Sequence, residues 1–260
     1  MSAASGEDYK GEDYKKVLEK HARTFHAASL LLPEDTREDS ALLYAFCRFV
    51  DDTADEATDQ AEARTALLKV ARQLQGIEQP ELPANTMIED VRALFSRRTI
   101  PTEAALELIE GVLGDLTPEL IIPDDAALLR YCYRVAGVVG VMMCGALRVQ
   151  NPAALAHAID LGIGMQLTNI CRDVLEDAQI ARMYLPATRL RAVGLTPYEC
   201  LTHLRTLSTN HRHYTRNKTP PDRIQKGLQA VVRDLLTLAE RYYDSAQQGF
   251  RYLPARVMPA

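Results

Sequence analysis

Apolar residues recur at spacings of three and four along most of this 260-residue chain, and alternating, strand-like segments are few and short. A period near 3.6 gathers apolar side chains on one helix face but scatters them over both faces of a strand. The expected fold is therefore all-α. Proline and glycine punctuate it: helices are expected over 14–31 (stopped by Pro33), 36–74 (ending before Gly76), 88–96 and 102–113 (separated by Pro101). A loop is expected at 76–85, and Pro118 and Pro123 bracket another connection. A long helix should start near Asp124, and another at Asn151-Pro152, a cap followed by a residue suited to the first turn, running through Asp177. The last helices are expected at 197–207 and, after Pro220-Pro221, at 222–250.

This length is near the limit at which one core stops growing, so a polar lead-in at 1–20 and one domain over 21–260 are expected. The tandem GEDYK at Gly6 and Gly11 belongs to the lead-in. The 30 Lys and Arg are interspersed with 35 Asp and Glu, giving a net charge of -5 and no basic stripe, which argues against a nucleic-acid partner. Cys47, Cys132, Cys144, Cys171 and Cys200 form no CxxC pair and read as buried reduced thiols. The polar N-terminus lacks the apolar run of a signal peptide, and the expected location is cytoplasmic. The longest apolar run, 135–147, is too short to span a bilayer, leaving peripheral contact with a membrane surface as the one membrane role open.

Two acidic clusters stand out, DDTADE (Asp51 to Glu56) and RDVLED (Arg172 to Asp177), each expected late in a helix. A helix C-terminus is already negative and like charges four apart repel, so both clusters call for a cation. Asp51 and Asp55 are about 400° apart around a helix axis and stand one above the other, and Asp173 and Asp177 repeat the spacing beside Glu176. Such oxygens suit Mg²⁺ or Mn²⁺ held by carboxylates together with a substrate diphosphate. The alternatives are solvated helix faces neutralised by Arg48 and Arg172, or a calcium loop; the second fails because its turn needs glycine where Glu56 stands. His211 and His213 flank Arg212 in a polar connection and read as surface residues.

The segments HARTFHAASLLLP, LLYAFCRFVDDTADE, YCYRVAGVVGVMM and QLTNICRDVLEDAQIARMYLP resemble the successive signatures of the phytoene/squalene synthase family, strongly over 21–190 and weakly beyond, with the phytoene synthases most similar. The resemblance implies an isoprenoid-synthase helical bundle enclosing a central cavity. It also implies a head-to-head condensation of two prenyl diphosphates, foremost geranylgeranyl diphosphate, through a cyclopropylcarbinyl diphosphate to phytoene.

By the same resemblance Asp51, Asp52 and Asp55 form one metal motif, and Asn169, Asp173, Glu176 and Asp177 the other, with Gln166 one turn earlier. Arg48, Arg172 and Arg182 match diphosphate contacts, a role suited to the guanidinium fork. Tyr44, Tyr131 and Tyr184 match rings near the reacting carbons, where a phenol can donate to a leaving oxygen and a ring face can stabilise a cation; ordinary packing is the alternative. Thr24 and Phe25 match the pocket entrance. Gly137 and Gly140 mark either a close helix approach or a path for a prenyl chain.

The chain departs from the family where a glycine-containing basic turn commonly precedes Tyr-Leu-Pro, since here the connection is AQIAR (178–182). Leu175 also replaces a frequent glycine, and Arg256 lies close to the last residue. Two alternatives remain: a farnesyl diphosphate-using relative making presqualene diphosphate or squalene, the latter requiring NADPH, and a non-catalytic binding or assembly factor. The sequence leaves oligomeric state open.

Overall fold

The computed structural model describes residues 14–55, 57, 59–77, 85–209 and 222–258. The GEDYK repeat, Glu56, most of the 76–85 loop, His211, His213 and Pro220-Pro221 lie outside these. The helices, in chain order, are α1 (Tyr14–His21), α2 (Arg23–Ser29), α3 (Glu34–Asp55), α4 (Gln60–Leu74), α5 (Thr86–Arg98), α6 (Thr102–Asp115) and α7 (Asp125–Cys132). They continue with α8 (Val138–Ala146), α9 (Ala154–Arg172), α10 (Val174–Gln179), α11 (Ala187–Ala192), α12 (Pro197–Thr209) and α13 (Arg223–Gly249). Two short strands, β1 (Leu120–Ile121) and β2 (Arg182–Met183), pair in parallel with Leu120 opposite Arg182 and Ile121 opposite Met183. The all-α expectation holds.

Starts follow the caps that the sequence offers. Asp59 accepts from the Ala61 N–H (2.7 Å), Asn85 from Met87 (3.1 Å), Asp124 from Ala127 (2.9 Å), Asn151 from Ala153 (2.9 Å) and Asp222 from Gln225 (2.7 Å). Three expected helices are broken. The first splits at Ala22, whose φ of -141° and ψ of 68° are not helical, and the 36–74 segment splits because Asp59 caps a new helix. The third bends at Asp173, between α9 and α10.

The described residues fall into two compact units, one drawn from Met1–Leu116, Arg134–Gly162 and Ser245–Ala260, the other from Thr117–Tyr133 and Ile163–Asp244. In the first, Leu43, Phe46 and Val50 of α3 form a core with Leu67 of α4, Leu94 of α5, Leu108 of α6 and Met142 of α8. Each such side chain contributes about 1.5–3 kcal/mol on burial. α1 adds Val17 and Leu18, so part of the expected lead-in is packed structure. Gly140 lies where any Cβ would overlap the Ala158 carbonyl, and Gly162 does the same against Ala136, so the glycines of this run serve a close approach of α8 to α9.

In the second unit, β2 positions Tyr184 and Leu185, both buried, and Arg189 of α11 grips Asp125 of α7 with two hydrogen bonds of 2.7 and 2.8 Å. Between α7 and α8, residues Tyr133–Gly137 form a π-helical turn. Asp125–Ala146 is thus one helical run of 22 residues containing an 18-residue window of mean hydropathy 1.4, longer than the apolar run suggested and long and apolar enough to cross a membrane by length and composition. Within it Arg134 is ion-paired to Glu107 (2.9 Å) and Glu110 (3.7 Å) of α6.

Candidate active site

The C-terminal turns of α3 separate the acids by facing. Asp52 is buried and takes Arg48 in a bidentate pair (2.9 and 2.8 Å), four residues away on the same helix. Asp51 and Asp55 are exposed, one turn apart. No basic residue lies in the last turn of α3, where the helix dipole adds to their mutual repulsion. Crowding by surrounding protein, then the carboxylate of Asp55, push Asp51 up to about 7 from its ordinary 3.8, although its surface reaches water; Arg48 opposes this. Tyr44, one turn before Arg48, belongs to the same group: burial raises its phenol, and the charges of Arg48, Asp52 and Asp51 act on it.

Asp115 at the end of α6 adds its charge to the field at Asp51. Sequence spacing gave no sign of it; the one signal is an acid in the last turn of a helix without a basic residue there.

The second cluster is built differently from the sequence expectation. α9 ends on Arg172, Asp173 occupies the bend, and Glu176 and Asp177 sit in the first turn of α10, where the helix dipole favours negative charge. The hydrogen bonds Asp173 N–H to Asn169 C=O and Asp177 N–H to Asp173 C=O, both 2.9 Å, keep the helical spacing across the bend. Arg172 chelates Asp173 with two bonds of 2.6 Å at the surface. Asn169 donates to Gln166 (3.5 Å), so these two are brought together as expected.

Tyr131 and Tyr184 stack with centroids 4.8 Å apart and hydroxyl oxygens at 3.2 Å. Arg182 lies half-buried on β2, immediately after Ala181, whose φ of +59° is the left-handed backbone that glycine adopts without cost. The AQIAR connection thus keeps a glycine-type turn with an alanine in it. Thr24 and Phe25 are exposed on α2, Phe25 by 58%.

Among the described residues no three His, Cys, Asp or Glu side chains come together as a ready metal site. The available donors are carboxylate pairs, a set that fits a hard dication completed by water and diphosphate oxygens. The five thiols offer no soft alternative: all are free, and burial pushes Cys132 up to about 12 and Cys171 and Cys200 to about 11, leaving them protonated.

The chain is 34% identical over 248 residues to phytoene synthase of Rhodobacter capsulatus, covering 94% of this chain and 67% of that one. It is 35% identical over 250 residues to 15-cis-phytoene synthase of Enterobacter agglomerans, covering 92% and 77%. Presqualene diphosphate synthase of Rhodopseudomonas palustris matches at 36% over 178 residues, 66% of this chain and 61% of that relative. Among solved structures, a dehydrosqualene synthase superposes with a TM-score of 0.73 at 25% identity, covering 94% of this chain and 78% of its own, so the helical architecture is the isoprenoid-synthase fold. With the squalene/phytoene synthase family model matching residues 18–260, the chain belongs to that family of prenyl transferases.

Proposed function

We propose that this enzyme joins two molecules of geranylgeranyl diphosphate head to head, through a cyclopropylcarbinyl diphosphate, to give phytoene, with Mg²⁺ or Mn²⁺ as cofactor. The observation that carries the reading is the Asp51–Asp55 pair, exposed one turn apart at a helix C-terminus whose last turn holds no basic residue, with Asp51 pushed up to about 7. The phytoene synthase relatives support phytoene as the product, and the presqualene diphosphate synthase relative supports the rival reading.

Asp51 and Asp55 would hold a dication in one motif, and Asp173 and Asp177 with Asn169 would do so in the other. When bound, that ion supplies positive charge to the departing diphosphate. Asp52 fixes the Arg48 guanidinium in one orientation, and Arg172 and Arg182 add donors for diphosphate oxygens. Tyr131 and Tyr184 form one hydrogen-bonded unit, so a phenol that donates to a leaving oxygen can accept from its neighbour in the same motion. Their stacked rings also offer a π-face to an allylic cation.

Incubation with Mg²⁺ and either geranylgeranyl or farnesyl diphosphate, with and without NADPH, tests the choice. Phytoene from the longer substrate without NADPH is expected. Squalene formed only with NADPH, or presqualene diphosphate as the sole product, overturns it. The Asp51→Asn/Asp55→Asn variant should lose activity by about a hundredfold or more; undiminished turnover would refute the metal role.

A further inference from the structure

The first unit holds a pocket of about 500 Å³ lined by Arg148, Arg251 and Arg256 with Gln150, Asn151 and Tyr252. Arg148 is ion-paired to Asp35, in the first turn of α3. Asp51 lies sixteen residues further along α3, a separation of about 24 Å at the helical rise. The basic pocket is therefore remote from the first acidic motif.

Three features make it a built site. Arg148 has φ +59° just past the end of α8, where its N–H bonds to Gly145 C=O and the Val149 N–H to Cys144 C=O, both 2.9 Å. That is the helix-ending position usually given to glycine, occupied here by a residue whose side chain enters the pocket wall. Its Nε is buried and has no hydrogen-bond partner among the described residues. The Arg251 guanidinium lies 4.8 Å from the centroid of the Tyr252 ring, and that ring stacks on His157 at 5.9 Å, so the second cation is held on an aromatic platform. Among the described residues no carboxylate pairs with Arg251 or Arg256, in a chain whose net charge is -5.

We infer that this pocket is a second, non-catalytic anion site that takes a phosphoryl group, in the form of free diphosphate or of an acidic phospholipid headgroup. Guanidinium forks match phosphate oxygens bidentately, and those of Arg251 and Arg256 at one opening, beside the Asp35-paired Arg148, suit a group with more than one negative charge.

Titration calorimetry of the full chain with inorganic diphosphate in EDTA separates this site from the metal-dependent one. Saturable binding is expected, weakened about tenfold in Arg251→Ala/Arg256→Ala and unchanged in Asp51→Asn/Asp55→Asn. An Arg233→Ala/Arg241→Ala variant, with the same loss of charge on the exposed side of α13, should bind as the wild type does. Flotation with phosphatidylcholine vesicles, with and without phosphatidic acid, identifies the source: loss of acidic-vesicle binding in the pocket variant alone assigns a headgroup, and calorimetric binding without flotation assigns free diphosphate. Retained prenyl transferase activity in the pocket variant shows that it is folded. Absence of both kinds of binding, equal weakening in the two arginine variants, or loss only in the aspartate variant overturns the proposal.

Discussion

Asp51 concentrates the tension in the candidate site, and its titration has a definite sign. Unfolded, the carboxyl has its ordinary value of 3.8; folded and without a cation, it is at about 7. The folded protein thus holds a proton that the unfolded chain has lost between those values, and stability from this group falls as pH rises through that window. Asp51→Asn should melt like the wild type near the low end and progressively above it toward the high end, with the gap closing when Mg²⁺ and a diphosphate are added. A gap independent of pH would show that Asp51 is not raised. Ala181 holds strain of another kind: its left-handed backbone costs about 1 kcal/mol relative to glycine. Ala181→Gly should raise the melting temperature by about 2 °C after the extra entropy of unfolded glycine is deducted, which thermal denaturation would read directly.

The helices show where sequence was sufficient. Caps are local, so Asn151 and the start near Asp124 could be read directly. The break before α4 was hidden because the apolar period runs through it, and only the Asp59 cap marks it. The bend at Asp173 was hidden too, since the hydrogen bonds on either side keep helical spacing; it moves the second acid cluster from an unfavourable helix end to a favourable helix start. Facing within α3 was equally out of reach, because whether Asp52 points inward to Arg48 depends on what packs against the helix. Glycines in α8 and α9 left two readings open that coordinates resolve. Gly140→Ala and Gly162→Ala drive a methyl into a backbone carbonyl and should destabilise by about 1–3 kcal/mol in chemical denaturation. Gly114→Ala, with open space around its Cβ in α6, should stabilise by about 0.5–1 kcal/mol, so equal effects would exclude helix contact as the cause.

At the scale of the whole chain, each compact unit carries one acidic motif, and each motif has arginines already engaged with its own carboxylates: Arg48 on Asp52, Arg172 on Asp173. A dication alone meets a field that these arginines partly cancel, and a diphosphate alone meets exposed carboxylates that repel it. Each ligand relieves the obstacle to the other, so their binding should be positively coupled, and coupling of binding appears as added stability of the folded form. The melting temperature should rise more with Mg²⁺ plus a non-hydrolysable prenyl diphosphate analogue than the sum of the shifts with either alone. The excess should vanish in Asp51→Asn/Asp55→Asn and, separately, in Asp173→Asn/Asp177→Asn if both motifs serve the same ligand pair. An excess that survives in one variant would remove that motif from the metal-binding role, and additive shifts in the wild type would refute the coupling.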